Sequence, residues 1–177
     1  MIENKFSKNN TIRKRINFDE PINDMIKRLI SEHRNFETKL EEVESAINDN
    51  NDNNNNNKHT TYAAKIIRSM SEAIIDHAVE EEARLLRVIM HKAKDESSES
   101  IKIIQEHNYV INFLKINLTE IENRKTLDLE SSSSSTSTKY DEDTKSINEF
   151  ISNLRKHFLE EEQIVFPLVL KAENISS

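Results

Sequence analysis

Two stretches of the chain repeat one spacing of side chains that can bind a metal ion. His77 and Glu81 lie four residues apart, and so do His157 and Glu161. On an α-helix, residues i and i+4 lie one above the other on the same face, with Cβ atoms about 6 Å apart. Imidazole nitrogens and carboxylate oxygens are both common metal ligands. A His and a Glu from each of two helices can therefore hold a metal between them.

Two further histidines, His33 and His107, lie within similar amphipathic patterns, and each directly follows a glutamate, Glu32 or Glu106. Around His33, apolar residues recur at alternating spacings of three and four, which is typical of a helix that turns one face to a core. The apolar positions of this first pattern are Ile22, Ile26, Leu29, Phe36, Leu40, Val43 and Ile47. The halves of the chain therefore resemble each other, as a duplicated helical hairpin would.

The other three histidines lie on comparable stripes. We expect a second helix from about residue 60 to 92, a short turn at 93–99, a third helix up to about 125, and a fourth with Pro167 near its end. The expected core positions are Ile66, Met70, Ile74, Leu85 and Val88; Ile101, Ile104, Ile111, Leu114, Leu118 and Ile121; and Ile147, Phe150, Leu154, Ile164 and Leu168.

Six polar side chains thus occupy positions where the stripes predict core residues: His33, His77, Glu81, His107, His157 and Glu161. A buried polar group without a partner costs about 1–3 kcal/mol, and a buried charge costs more. A pair of metal ions removes this cost, because the imidazoles become ligands and each carboxylate bridges both ions. Nitrogen and oxygen donors in this mixture favour iron. Two His and two shared Glu leave an octahedral iron room for an oxo or hydroxo bridge and an exchangeable small molecule.

The composition favours a single helical domain. The chain has 177 residues with no Gly and only two Pro, and turns in sheet proteins usually need Gly. The absence of Cys excludes disulfides, cysteine-ligated zinc and iron–sulfur clusters. The net charge of −7, without a basic stripe, argues against nucleic acid as a partner. No apolar run reaches the ~18 residues of a membrane helix, and no secretory signal is present, so we expect a cytoplasmic protein.

The predicted architecture is all-α: an antiparallel up-down-up-down four-helix bundle with the metal site in its core. It spans residues 19–172, between a flexible N-terminal tail at 1–18 and a C-terminal tail at 173–177. Two low-complexity loops interrupt it, an Asn/Asp tract at 48–58 and a Ser/Thr tract at 126–143.

The six candidate ligands, in this order along four helices, resemble those of the hemerythrin-like (HHE cation-binding) family. The resemblance covers about residues 19–172. It implies a four-helix bundle around a non-haem di-iron centre in which Glu81 and Glu161 bridge the irons. Oxygen-carrying members have another His one turn after the one on the third helix, where this chain has Ile111. This difference favours relatives with fewer His, which are linked to gas sensing, iron handling or repair of iron–sulfur centres.

Several functions remain open at this point. The first is a protein that binds or senses oxygen, nitric oxide or reactive oxygen and nitrogen species. The second is a di-iron oxidase or peroxidase acting on oxygen or peroxide, or an iron-handling or iron–sulfur repair protein. The third is a helical interaction module with zinc or no metal. The sequence does not decide whether the protein is an enzyme, and it identifies no protein partner.

The remaining polar residues near these stripes have other expected roles. We expect the acids next to the candidate ligands and two distant histidines to lie at the surface: Glu32, Glu80, Glu82, Glu106, Glu160 and Glu162; and His59 and His91. The alternative for Glu32 and Glu106 is a contact with a ligand histidine from outside the metal site. We expect Glu37 in a salt bridge, with an extra metal ligand as the alternative. Tyr62 and Tyr109 are expected in core or interface packing, with control of access or a hydrogen bond to the site as the alternative.

Overall fold

The structure, a computed structural model, describes residues 15–48, 56–127 and 136–174. Within these ranges, residues 22–48, 56–92, 94–127 and 136–174 are helical and no strand is present, which confirms the predicted all-α class. The helices are α1 (Ile22–Asn48), α2 (Asn56–Glu81), α3 (Arg87–Lys92), α4 (Ser97–Asn112), α5 (Leu118–Leu127), α6 (Thr136–Glu160) and α7 (Phe166–Asn174). A short 3₁₀ turn, Lys94–Glu96, separates α3 from α4.

These helices join into four long helical segments. The first segment is α1. The second (56–92), third (97–127) and fourth (136–174) each consist of two α-helices connected by a single π-turn, in which the backbone hydrogen bonds span five residues rather than four. The π-turns are Glu82–Leu86, Phe113–Asn117 and Glu161–Val165.

Helices extend into both predicted low-complexity tracts. The second segment already begins at Asn56 and the fourth at Thr136, while the third continues to Leu127. Residues 49–55 and 128–135 lie outside the described part of the chain, as do residues 1–14 of the predicted N-terminal tail and 175–177 of the C-terminal tail. Pro167 lies in the first turn of α7, directly after the π-turn, where proline is tolerated.

The π-turns shift the inward face of the segments. Each π-turn contains one residue more than a regular helical turn, and this residue rotates all following side chains by about 100° around the helix axis. After Glu161, the next buried residues are therefore Val165 and Phe166, whereas Ile164, a predicted core residue, is 45% exposed. Ile101, another predicted core residue, lies before the π-turn of its segment. It is 53% exposed because the buried face of α4 consists of Ser100, Ile103, His107 and Val110.

Side-chain contacts join the four segments. Segment 1 contacts segments 2 and 4, segment 3 also contacts both, and segments 2 and 4 contact each other. In four of these pairs, the contacts join rising residue numbers on one segment to falling numbers on the other. These contacts are Arg28–Glu80 and Glu32–His77; Arg68–Glu122 and Glu82–His107; Lys102–Glu160 and Glu106–His157; and Arg34–Glu162 and Arg155–Glu44.

Two apolar clusters fill the space between the segments, and a polar layer lies between the clusters. One cluster is built around residues such as Leu40, Ile67 and Phe150. The other is built around residues such as Leu29, Leu85 and Val169. The histidines sit where these two clusters meet, so apolar packing holds the segments on both sides of the polar layer. None of the helices in the described ranges has the length and apolar character required to cross a membrane.

Candidate metal centre

The polar layer consists of the six side chains that the sequence singled out. All six are buried: His33, His77, Glu81, His107, His157 and Glu161. Their ligand atoms form two groups, each with all members within 4.8 Å of one another. One group contains His33 and His77, the other His107 and His157, and Glu81 and Glu161 belong to both. The six residues therefore offer two sets of four donors that share two carboxylates.

The imidazole Nε2 atoms all point into this layer. His77 Nε2 lies 3.4 Å from Glu81 Oε1, while His107 Nε2 lies 3.4 Å from Glu81 Oε2. Glu161 is placed in the same way: its Oε2 is 3.4 Å from His33 Nε2, and its Oε1 is 3.2 Å from His157 Nε2. Each carboxylate thus presents one oxygen to each pair of histidines, which is the arrangement of a bridging ligand.

The outer nitrogen of every one of these histidines contacts a further carboxylate. The Nδ1–O distances are 2.9 Å for His77–Glu32, His107–Glu82 and His33–Glu162, and 3.0 Å for His157–Glu106. In each case the carboxylate comes from a neighbouring segment. An ionised carboxylate only accepts hydrogen bonds, so Nδ1 must carry the proton and donate it. When such an imidazole is neutral, it keeps a free lone pair on Nε2, directed at the shared layer. Metal-binding histidines commonly have such an outer partner.

These contacts correct the expectation that the flanking acids lie at the surface. Glu32 and Glu106, expected there, are each 24% exposed on the side chain and hold a histidine. Glu82 and Glu162 also bind histidines rather than only solvent. The sequence favoured surface positions for all four acids and offered contact with a histidine only as the alternative for Glu32 and Glu106, because each contact crosses between segments and depends on their relative rotation. The usable signal was the repetition of the same acids at equivalent positions in both halves.

Glu80 was also expected to be solvated, but it is 2% exposed. It accepts hydrogen bonds from the guanidinium of Arg28 at 2.6 and 3.2 Å. The same guanidinium donates to Glu20 and to Glu32. Arg28 therefore links the start of α1 to the carboxylate that orients His77. Glu160, its counterpart in the fourth segment, contacts Lys102.

The acid-rich surroundings favour positive charge within the layer. Burial lowers the pKa of His77, but attraction to Glu81 and the hydrogen bond to Glu32 outweigh burial and raise the pKa to about 10. Burial likewise lowers the pKa of His107, yet contacts with Glu161, Glu81 and Glu82 raise it to about 11. Burial raises the pKa of Glu81, whereas the adjacent imidazoles bring it well below its usual value.

Several potential metal-binding atoms of the layer lack a hydrogen-bond partner, and a bound cation would give them one. Both oxygens of Glu81, Oε2 of Glu161 and Nε2 of His107 are buried without a hydrogen-bond partner among the described residues. In addition, His33 Nε2 and His77 Nε2 lie 2.9 Å apart. With both Nδ1 atoms protonated, two lone pairs face each other there unless a proton or cation lies between them. The donor set therefore fits a metal ion.

Other polar residues named from the sequence lie away from this layer. Glu37 forms the expected salt bridge, with Arg155 at 2.7 Å. Tyr62 and Tyr109 are exposed rather than packed in the core. His91 is exposed and His59 is half-buried, and neither belongs to the two donor groups.

Comparisons of the chain with protein-family models, with curated proteins and with solved structures found no match. The geometry of the layer is therefore the basis for assigning a function.

Proposed function

We propose that this chain is a non-haem di-iron protein that binds or senses a diatomic gas, oxygen or nitric oxide, or the reactive species derived from it. We infer that the four segments form an antiparallel up-down-up-down bundle, similar to the hemerythrin-like family, with the ions in its core. The observation that carries the proposal is the pair of four-donor groups that share both carboxylates.

Two ions account for the donor set better than one. A single ion between all six side chains would leave some of the four imidazoles without a partner, because each carboxylate turns a different oxygen to each histidine pair. Two ions give every Nε2 and every carboxylate oxygen a partner. Thiolate is absent from the chain, and a mixture of imidazole and carboxylate suits iron among the metals that proteins use.

The protein's own residues supply orientation and shielding. Four outer carboxylates fix the imidazoles, and two apolar clusters keep bulk water from the layer. Iron, when bound, supplies an exchangeable electron and coordination positions that the protein leaves open. Four protein donors do not saturate an octahedral ion, so a small molecule can bind. This unsaturation supports gas binding over a purely structural metal.

Elemental analysis of the protein from its native source tests the metal assignment. About two iron per chain would support it, whereas zinc, or no metal, would reject it.

Anaerobic addition of oxygen or nitric oxide to the reduced iron-loaded protein tests the ligand assignment. We expect optical changes that saturate with added gas, and an unchanged spectrum at full iron loading would reject gas binding. Turnover of oxygen or peroxide beyond stoichiometric amounts would instead indicate an oxidase or peroxidase.

A further inference from the structure

The two halves of the candidate centre are related by an approximate twofold repeat. His33 corresponds to His107, and His77 corresponds to His157, with the same outer carboxylate arrangement in each half. The repeat extends outward, because Arg28–Glu80 in one half corresponds to Lys102–Glu160 in the other. Both halves therefore offer the same ligands held in the same way.

The apolar walls around the two halves are different. In the His33/His77 half, the ring of Phe158 stacks on His33 with centroids 4.2 Å apart and planes at 18°. Phe166 stacks further out on the same imidazole, at 5.8 Å. Phe36 meets His77 edge-on at 5.6 Å. Three aromatic rings thus enclose this half.

Smaller side chains occupy the equivalent positions of the His107/His157 half. Counted from the corresponding histidine, Phe36 is replaced by Val110, Phe158 by Ala78 and Phe166 by Leu86. All three replacements are buried. Apart from the contact between the two imidazoles, the ring contacts of this half within the described residues reduce to Phe158 beside His157, tilted at 5.9 Å. At these three positions, less side-chain volume therefore covers this half.

Surface grooves lie beside both halves. A groove of about 290 Å³ between the third and fourth segments is lined by His157 and Val110, and by Tyr109, which is 41% exposed. A second groove of about 290 Å³, between the first and fourth segments, is lined by His33 and Phe158. Val110 therefore lines the groove beside His157, whereas a buried phenylalanine lines the groove beside His33.

We propose that an external ligand of two or three atoms binds at the ion held by His107 and His157, and reaches it past Val110. The ion held by His33 and His77 stays enclosed. This inference rests on the proposed function, since it presupposes that both ions are bound. It deepens that function by assigning the two chemically matched ions different roles, one for ligand binding and one enclosed by the three phenylalanines.

Azide titration of the iron-loaded full-length protein tests the assignment, with the absorbance of bound azide as the readout. Val110→Phe places a ring where the other half has one, and we expect azide affinity to fall at least about tenfold. The matched control is Phe36→Val, the reverse change at the equivalent position, which should leave the first azide affinity within about twofold of wild type. Iron content and far-ultraviolet circular dichroism are measured first for each protein.

Equal azide affinities for wild type and Val110→Phe, or a large loss in Phe36→Val, would overturn the assignment. If Val110→Phe does not fold, the crystal structure of azide-treated wild-type protein decides the question without a variant. Azide on the ion beside His107 supports the proposal, and azide on the ion beside His33 refutes it. Failure to load iron at all would reject the proposed function, so the two failures are distinguishable.

Discussion

Glu32 orients a candidate ligand without being one, so its replacement isolates the contribution of the outer carboxylates. Its Oε2 accepts a hydrogen bond from His77 Nδ1 at 2.9 Å, and its other oxygen accepts a hydrogen bond from Arg28 at 2.9 Å. Glu32→Gln keeps the shape of the side chain and an accepting oxygen but removes the charge. We expect iron affinity to fall while the number of ligands stays the same.

The size of the effect follows from the character of this hydrogen bond. Loss of an outer partner of a metal-binding His typically costs about 10–100-fold in affinity. The Gln amide still accepts a hydrogen bond, and charge-assisted bonds are roughly twice as strong as neutral ones. The side chain is also 24% exposed, so solvent screens part of the charge. The expected loss is therefore near the lower end, about tenfold or ~1.4 kcal/mol.

Competition for ferrous iron against a chelator of known affinity, under anaerobic conditions, measures this loss. Glu106→Gln should weaken binding to a similar degree, because Glu106 bonds to His157 in the same way. Glu41→Gln is the matched control, since Glu41 is an exposed acid on the same helix as Glu32. If Glu32→Gln binds iron within about twofold of wild type, or if Glu41→Gln loses as much, the outer carboxylates do not orient the ligands.

Three further changes test other parts of the site. Glu81→Ala removes a donor from both ions, and we expect fewer than two iron per chain by elemental analysis; two tightly bound iron would contradict the bridging role. In metal-free protein, raised pKa values of His77 and His107 contribute stability that is complete below about pH 6.5 and is lost as the pH rises toward about 10 and 11. Urea denaturation should show this decline, and iron-loaded protein should show less of it because iron replaces the protons; a flat profile without metal would refute the assigned shifts. Phe158→Ala should lower the free energy of unfolding by about 3–5 kcal/mol, as expected for loss of a buried ring. A loss under about 1 kcal/mol in urea denaturation would show that this ring packs loosely.

The sequence predicted the helices and the positions of all six candidate ligands because both depend on local periodicity. Each ligand lies on a stripe that points inward whatever the rotation of neighbouring segments. The spacing of four between His77 and Glu81 also lies before the π-turn, where normal helical periodicity still applies. Such features depend on one helix at a time, which a single sequence can specify.

Features that depend on departures from regular helix were not predicted. The π-turn that begins at Glu161 rotates the following residues, so Val165 and Phe166 rather than Ile164 enter the core. No Gly or Pro within the turn signals the extra residue. The π-turns that follow Glu81 and begin at Glu161 lie beside the shared carboxylates, in keeping with the frequent location of π-turns at functional sites.

The specific contacts between segments could also not be predicted from the sequence. The pairing of Glu32 with His77, and of Glu162 with His33, depends on how far each segment is rotated and shifted against its neighbour. Ion pairs such as Arg28–Glu80 contribute to that alignment. Apolar packing sets the rest, and many sequences with the same stripe could pack with a different rotation.

We propose that the six buried side chains hold two ions between two pairs of histidines. Diffraction data collected at the iron absorption edge from crystals of the iron-loaded protein locate these ions directly. We expect two anomalous peaks about 3.5–4 Å apart, one beside His33 and His77 and the other beside His107 and His157, with Glu81 and Glu161 between them. A single peak, or no peak within this layer, would contradict the binding of two ions by these six side chains.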